Sequence, residues 1–185
     1  YEHESRVTLT AEGIRERYGF TALSDACTNV NYFYIFMHIF TNNTKTWAAG
    51  DDAGGLFARG EFGDDGSFSL RKDFRFALVH DPVAQLGLAI VYPETYAGRK
   101  GFWNSFWNRA YDNKLYLQID PKKVPGESFI YECATRPFAT SAAEFEAKGL
   151  SVARGLLGPL QAKPAPGKVD AVVKALPPLA FSFDS

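Results

Sequence analysis

The chain lacks the residues that several common chemistries require. Methionine occurs once in 185 residues, and the two cysteines, Cys27 and Cys133, stand far apart with no CxxC spacing. A cysteine metal cluster or a dithiol redox motif is therefore excluded. As a disulfide the pair would close a long loop, stabilising the fold by about 4–5 kcal/mol on the chain-entropy argument, but sequence does not show that their Cα atoms approach. Charge of one sign is also lacking: 20 basic residues face 21 acidic ones, a net charge of −1, so no long-range field draws a polyanion and no nucleic-acid partner is expected. No run of about 18 apolar residues is present, which argues against a membrane-spanning helix, and no basic-then-apolar signal segment stands at the start. GxSxG, HExxH, GxxxxGKS/T and a helix-opening GxGxxG are all missing, leaving hydrolase-elbow, zincin and nucleotide-binding chemistry without support. No cofactor and no metal is expected.

What is present is an aromatic load of 15% and abundant turn chemistry. Rings pack well on a pleated surface. From Ser5 to about Phe138, short β-type runs alternate with Gly, Asn, Asp and Pro, and no long helical stripe interrupts them. The pattern predicts an all-β, antiparallel sandwich with strands at Arg6–Thr10, Gly13–Phe20, Tyr32–Phe40, Leu56–Phe62, Phe74–His80, Leu86–Tyr92, Lys114–Ile119 and Ser128–Ala134. Asp51-Asp52-Ala53-Gly54-Gly55 and Gly63-Asp64-Asp65-Gly66-Ser67 read as reversals between them. After Arg136-Pro137 the composition turns to Ala, Glu, Lys and Leu. Ser141 with Glu144 three residues on has capping-box spacing, so a helix is expected from Ser141 to Leu157. The Pro/Gly linker Ala162–Gly167 and a short helical run from Val169 to Ala175 complete a tail expected to pack loosely. The expected organisation is a β-sandwich domain over residues 1–138 and a helical tail over 139–185. Tyr1 stands where an initiator Met would, so the chain is expected to be processed or cut from something longer, with further domains among its partners.

The densest chemistry lies in Gly101–Tyr116, where six aromatic residues alternate with Asn104, Asn108, Arg109, Asp112 and Asn113. Flat rings cover the C–H faces of a pyranose while amides and ions hydrogen-bond its hydroxyls, so the mixture suits a saccharide ligand. Trp103, Trp107, Asn108 and Arg109 are its binding candidates, with a plug over the end of a sandwich as the alternative for the same rings. In Tyr32–Phe40 the strand period sends Phe33, Ile35, Met37 and Ile39 to one face, read as core. Tyr32, Tyr34, Phe36, His38 and Phe40 go to the other, read as the floor of a groove. The alternative is a central strand covered on both faces, with His38 held neutral. On the groove reading Tyr34 touches the ligand and His38 is the proton-transfer candidate, since imidazole titrates near neutrality. Glu94 and Asp112 stand among aromatics and are the carboxylates expected opposite it, because partial desolvation raises a carboxyl pKa toward the useful range. His3, near the start, and His80, at a strand exit, are not expected to act.

Tyr34-Ile35-Phe36-Met37-His38, Thr41-Asn42-Asn43-Thr44 followed by Trp47, and Phe106-Trp107-Asn108-Arg109 together resemble the galactose mutarotase-like super-sandwich of aldose epimerases and of domains in glycoside hydrolases and polysaccharide lyases. The resemblance covers roughly Ser5 to Phe138, and the chain is shorter than a whole super-sandwich. It implies a site on a concave sheet face, where a His acid and a carboxylate base act on a ring-opening sugar; His38 matches that His in strand context. Three functions are consistent with these readings: a sugar-processing enzyme using His38 with Glu94 or Asp112, a noncatalytic carbohydrate-binding module, and a structural or assembly domain. A secreted or periplasmic location is expected, with the cytoplasm left open. The Asn42-Asn43-Thr44 triplet meets the N-glycosylation rule, which matters only in a eukaryotic secretory setting.

Overall fold

A computed structural model describes residues 2–24, 33–51, 55–62, 68–71, 74–92, 102–109, 112–119, 125–126 and 128–161, with backbone alone at 33–37, 68–71, 102–109, 112, 117–119, 129 and 158–161. Among these residues the strands are β1 (Glu2–Thr10), β2 (Gly13–Thr21), β3 (Phe33–Phe40), β4 (Thr46–Gly50), β5 (Leu56–Glu61), β6 (Phe68–Arg71), β7 (Phe76–Asp81), β8 (Leu86–Val91), β9 (Phe102–Arg109), β10 (Asp112–Ile119) and β11 (Ser128–Ala139), followed by helix α1 (Phe145–Gln161). They form a seven-stranded sheet in the order β1-β2-β11-β8-β7-β4-β5 and a four-stranded sheet in the order β3-β10-β9-β6. Each described strand pairing is antiparallel. The all-β antiparallel class with a helix near the C-terminus is the one the sequence predicts.

The centre of the larger sheet is covered on both sides, which explains why β7 and β8 are apolar at nearly every position instead of alternating. On one face Trp47, Ala49, Ala77, Val79, Ile90, Tyr92, Tyr131 and Cys133 form a core with Leu115 of β10, against which Phe40 of β3 also packs. The intervening residues Ala48, Phe76, Leu78, Ala89, Val91 and Ala134 meet Phe145, Ala153, Leu156 and Leu157 of α1 on the other. Alanines under the helix let it approach, and two glycines make room for the Phe138 ring: a Cβ at Gly87 would lie 2.3 Å from Phe138 Cζ, and one at Gly149 would lie 3.1 Å from the same atom and 2.7 Å from Leu78 Cδ1. Phe145 then stacks between Phe138, at 6.4 Å, and His80, at 5.1 Å. Over residues 145–157 the expected loose tail is thus a packed layer of the fold. The linker Ala162–Gly167 and the run Val169–Ala175 lie outside the described residues.

The helix begins four residues later than expected, for a local reason. Glu144 N donates to Ser141 O at 3.2 Å, closing a tight turn, and the first helical bond runs from Lys148 N to Glu144 O at 2.9 Å. Ser141 Oγ still donates to Glu144 Oε2 at 3.0 Å, so the capping-box pair forms one turn ahead of the helix it was expected to open. Strands β4, β6 and β9 are absent from the sequence expectation. Thr46-Trp47-Ala48-Ala49-Gly50 ends in three residues of low strand propensity, yet small residues are what a strand with two covered faces accommodates.

A connector, residues 41–45, ties the two sheets together. Asn113 Nδ2 donates to Thr44 O at 3.2 Å from the small sheet. Lys45 N donates to His80 O at 3.0 Å, and Thr41 Oγ1 donates to Asp81 Oδ2 at 3.1 Å, both toward β7. Asp81 Oδ1 also accepts from Val83 N and Ala84 N at 2.9 and 3.0 Å, which shapes the β7–β8 reversal. These bonds, Ala84's first, hold the Asp81 carboxyl below its usual range.

Two tests follow from this packing. Leu156→Ala, at a position 2% exposed between helix and sheet, should lower unfolding free energy by about 2–4 kcal/mol in urea titration. Asp81→Ala should lower Tm at neutral pH. Because the folded carboxyl titrates below its unfolded value, its contribution is complete above about pH 4 and fades as pH falls through the folded value. The Tm gap between wild type and Asp81→Ala should therefore be constant from pH 7 to about 5 and narrow in stronger acid.

Candidate functional site

The aromatic–amide tract is a pair of antiparallel strands, β9 and β10, at the centre of the four-stranded sheet. Their pairing with β3 sets which residues share a row. Phe106, Leu115 and His38 form one row, and Asn108, Asn113 and Phe40 another. Leu115 is fully buried and Asn113 is 7% exposed, so these rows have core parity. Rows of the opposite parity are Trp107–Lys114–Ile39, Trp103–Gln118–Tyr34 and Arg109–Asp112. Ile39 is 68% exposed, Lys114 is half-buried, and Tyr116, of the same parity, is buried, so part of this face is covered.

A bulge in β3 corrects the expected division of that strand. His38 lies opposite Leu115 while Ile35 lies opposite Leu117, so two residues of β3 face one of β10 and the alternation slips by one. Ile39, expected in the core, is exposed, and Phe40, expected in the groove, packs on the core. His38 is half-buried in the core-parity row of Leu115.

The register therefore brings Tyr34, Trp103, Trp107, Arg109 and Asp112 to rows of one parity, with Asn108 and His38 in the other. It does not bring His38 and Asp112 onto one face. The side chains of Tyr34, Trp103, Trp107, Asn108, Arg109 and Asp112, and the whole of Glu94, lie outside the described residues, as do Cys27 and the reversals at 52–54 and 63–67.

Among the described residues, two hollows lie on the wing formed by β1, β2 and β11. The larger, about 490 Å³, is lined by Glu2, His3, Glu4, Phe20, Thr21 and Ser128, among others. His3 stacks on Phe20 at 4.9 Å and on Tyr18 at 5.8 Å, and the Thr21 and Ser128 hydroxyls are 2.8 Å apart. His3, not expected to act, lies within a hairpin arm that extends four residues beyond the expected start at Arg6. The smaller hollow, about 180 Å³, carries Arg6, Arg15, Arg17 and Glu132. Arg17 pairs with Glu132 at 3.5 Å, and the Arg15 Nε is buried with no hydrogen-bond partner among the described residues.

Cys133 is a free, buried thiol whose pKa is pushed well up, by burial first and by the nearby Glu16 second, so it stays protonated and unreactive. Among the described residues no group of three or more His, Cys, Asp and Glu is placed to hold a metal ion, and no helix is long and apolar enough to cross a membrane. No protein-family model matches this chain, and a search of curated proteins finds no match to it.

Proposed function

We propose that the four-stranded sheet binds a saccharide on the face carrying the positions of Trp103, Trp107, Tyr34, Arg109 and Asp112, and that it does so as a binding surface, not as a catalyst. The observation supporting this is the shared row parity of those five positions with the exposed Ile39. In a pleated sheet, positions of one parity belong to one face. Trp103 and Trp107 are four residues apart in β9, about 13–14 Å along the strand, and Tyr34 lies two strands from Trp103, roughly 10 Å across. Tyr116, in the row between the two tryptophan rows, is buried, so the contacts are proposed at the two ends of this stretch, Trp103 with Tyr34 and Trp107 with Arg109. Its composition of rings with Arg, Asp, Lys114 and Gln118 is what stacking and hydroxyl recognition require.

Catalysis by His38 with Asp112 has less support, since the register assigns them to opposite faces. The resemblance to mutarotase-like domains, an extracytoplasmic location and further domains in a longer chain belong to the same proposal.

Glycan-array screening followed by affinity electrophoresis tests it. Trp103→Ala and Trp107→Ala should each weaken saccharide binding about three- to tenfold with an unchanged far-UV CD spectrum. His38→Ala should leave affinity as it was. Absence of any saccharide binding, or binding indifferent to both tryptophans, would remove the proposal, and sugar turnover lost in His38→Ala would replace it with the enzyme reading.

A further inference from the structure

Among the described residues no strand pairs with the outer side of β1, and of the usual edge protections it has only the charges of Glu2, Glu4 and Arg6. It runs nine residues, Glu2 to Thr10, against β2 in continuous register with no bulge, and contains neither Pro nor Lys. The residues from Glu2 to Leu9 are all exposed, with Val7 and Leu9 at 66% and 81%. The opposite edge is different: β5 is six residues long and its pairing with β4 shifts register at Ala49/Gly50. A long, regular, uncovered edge offers a row of backbone donors and acceptors to another strand.

The sequence of β1 indicates which strand fits. When β1 is laid antiparallel on a copy of itself with Ser5 opposite Ser5, Glu4 meets Arg6 of the second copy and Arg6 meets its Glu4, while His3 meets Val7 and Glu2 meets Thr8. Moving the centre back to Glu4 keeps two ion pairs, Glu2 with Arg6 of the other copy, but sets the two Glu4 carboxylates against each other at the axis; moving it forward to Arg6 opposes two guanidiniums and forms no ion pair, so the Ser5 register alone has both ion pairs without a like-charge pair. Directly opposed like charges destabilise a strand pair, and opposite charges support it. Centring on Val7 opposes no charges and gains no ion pair. Glu4 and Arg6 are two apart in the strand, so both ion pairs form on one face, the face that also carries Arg17 and Glu132 in the row of Arg6.

We infer that the chain forms a two-fold homodimer by antiparallel β1–β1 pairing centred on Ser5, which joins two seven-stranded sheets into one. The symmetry closes the assembly, because each copy presents one such edge and uses it up. The occupant is a second copy because the strand is complementary in charge to itself.

Sedimentation velocity and equilibrium on the whole chain test this, with far-UV CD confirming that each variant is folded. The wild type should be dimeric. Glu4→Arg and Arg6→Glu should each weaken dimerisation about tenfold or more, since each places two like-charge pairs at the interface. The combined Glu4→Arg/Arg6→Glu variant should dimerise again, because exchanging the charges restores both pairs. A wild type that remains monomeric at its highest soluble concentration would overturn the inference. So would a dimer that neither single variant weakens, or one that the combined variant fails to recover. Trp103→Ala and Trp107→Ala should not affect the dimer, which separates this interface from saccharide binding.

Discussion

The constraint on which the rest of the structure depends is that the central strands of the large sheet are covered twice. Trp47, Ala77, Val79 and Ile90 are buried on the side of the small sheet, while Ala48, Phe76, Leu78 and Val91 are buried under the helix. A strand in that position has no solvent face on which to place polar residues, so its sequence becomes continuously apolar. Each large side chain so buried contributes on the order of 1.5–3 kcal/mol. Close approach of both layers also sets the small residues: Ala48, Ala89, Ala134, Gly87 and Gly149 are where bulk would hold the helix away. Removing α1 would expose half of this core, so the helix is part of the sheet's stability even though it follows the last strand.

Double coverage also limits where function can be placed. Neither face of β4, β7 or β8 is open, which leaves the outer rows of the small sheet and the β1–β2–β11 wing among the described residues. His80 illustrates the limit. Its imidazole is 2% exposed, stacked on Phe145, with Nε2 lacking a hydrogen-bond partner among the described residues. A buried polar atom of that kind often marks a site, but this one lies beneath a helix whose removal would unfold the core. Packing is the sufficient account of it.

How much was legible in the sequence follows the same physics. Fold class and eight strands were readable because alternation and turn residues are local signals. β4 and β9 were not, for opposite reasons: in β4 double coverage selects Ala and Gly, which have low strand propensity, and in β9 polar residues interleave with rings so that no apolar run appears. The groove assignment in β3 failed at a single point. One extra residue opposite Tyr116 inverts the parity of everything beyond it, and nothing in Phe33–Phe40 announces a bulge in a run of rings and aliphatics. Trp103, Trp107 and Arg109 share one parity because four-residue and two-residue separations keep it in a regular strand, whereas Asn108, expected beside them, falls in the other.

The bulge also sets which positions of the small sheet share a face. Without it, His38 would share a face with Tyr34, as simple alternation requires. With it, His38 joins the row of Leu115, while Tyr34 remains in the row of Trp103. An acid and a base acting on one bound substrate must each lie within hydrogen-bond reach of the atom whose proton it moves. Residues on opposite sides of a sheet do not meet that condition, whereas stacking and hydroxyl recognition need only a shared face. A single inserted residue thus separates His38 from the row of Tyr34 and Trp103, which is why the proposal made above for this face is stacking and hydroxyl recognition.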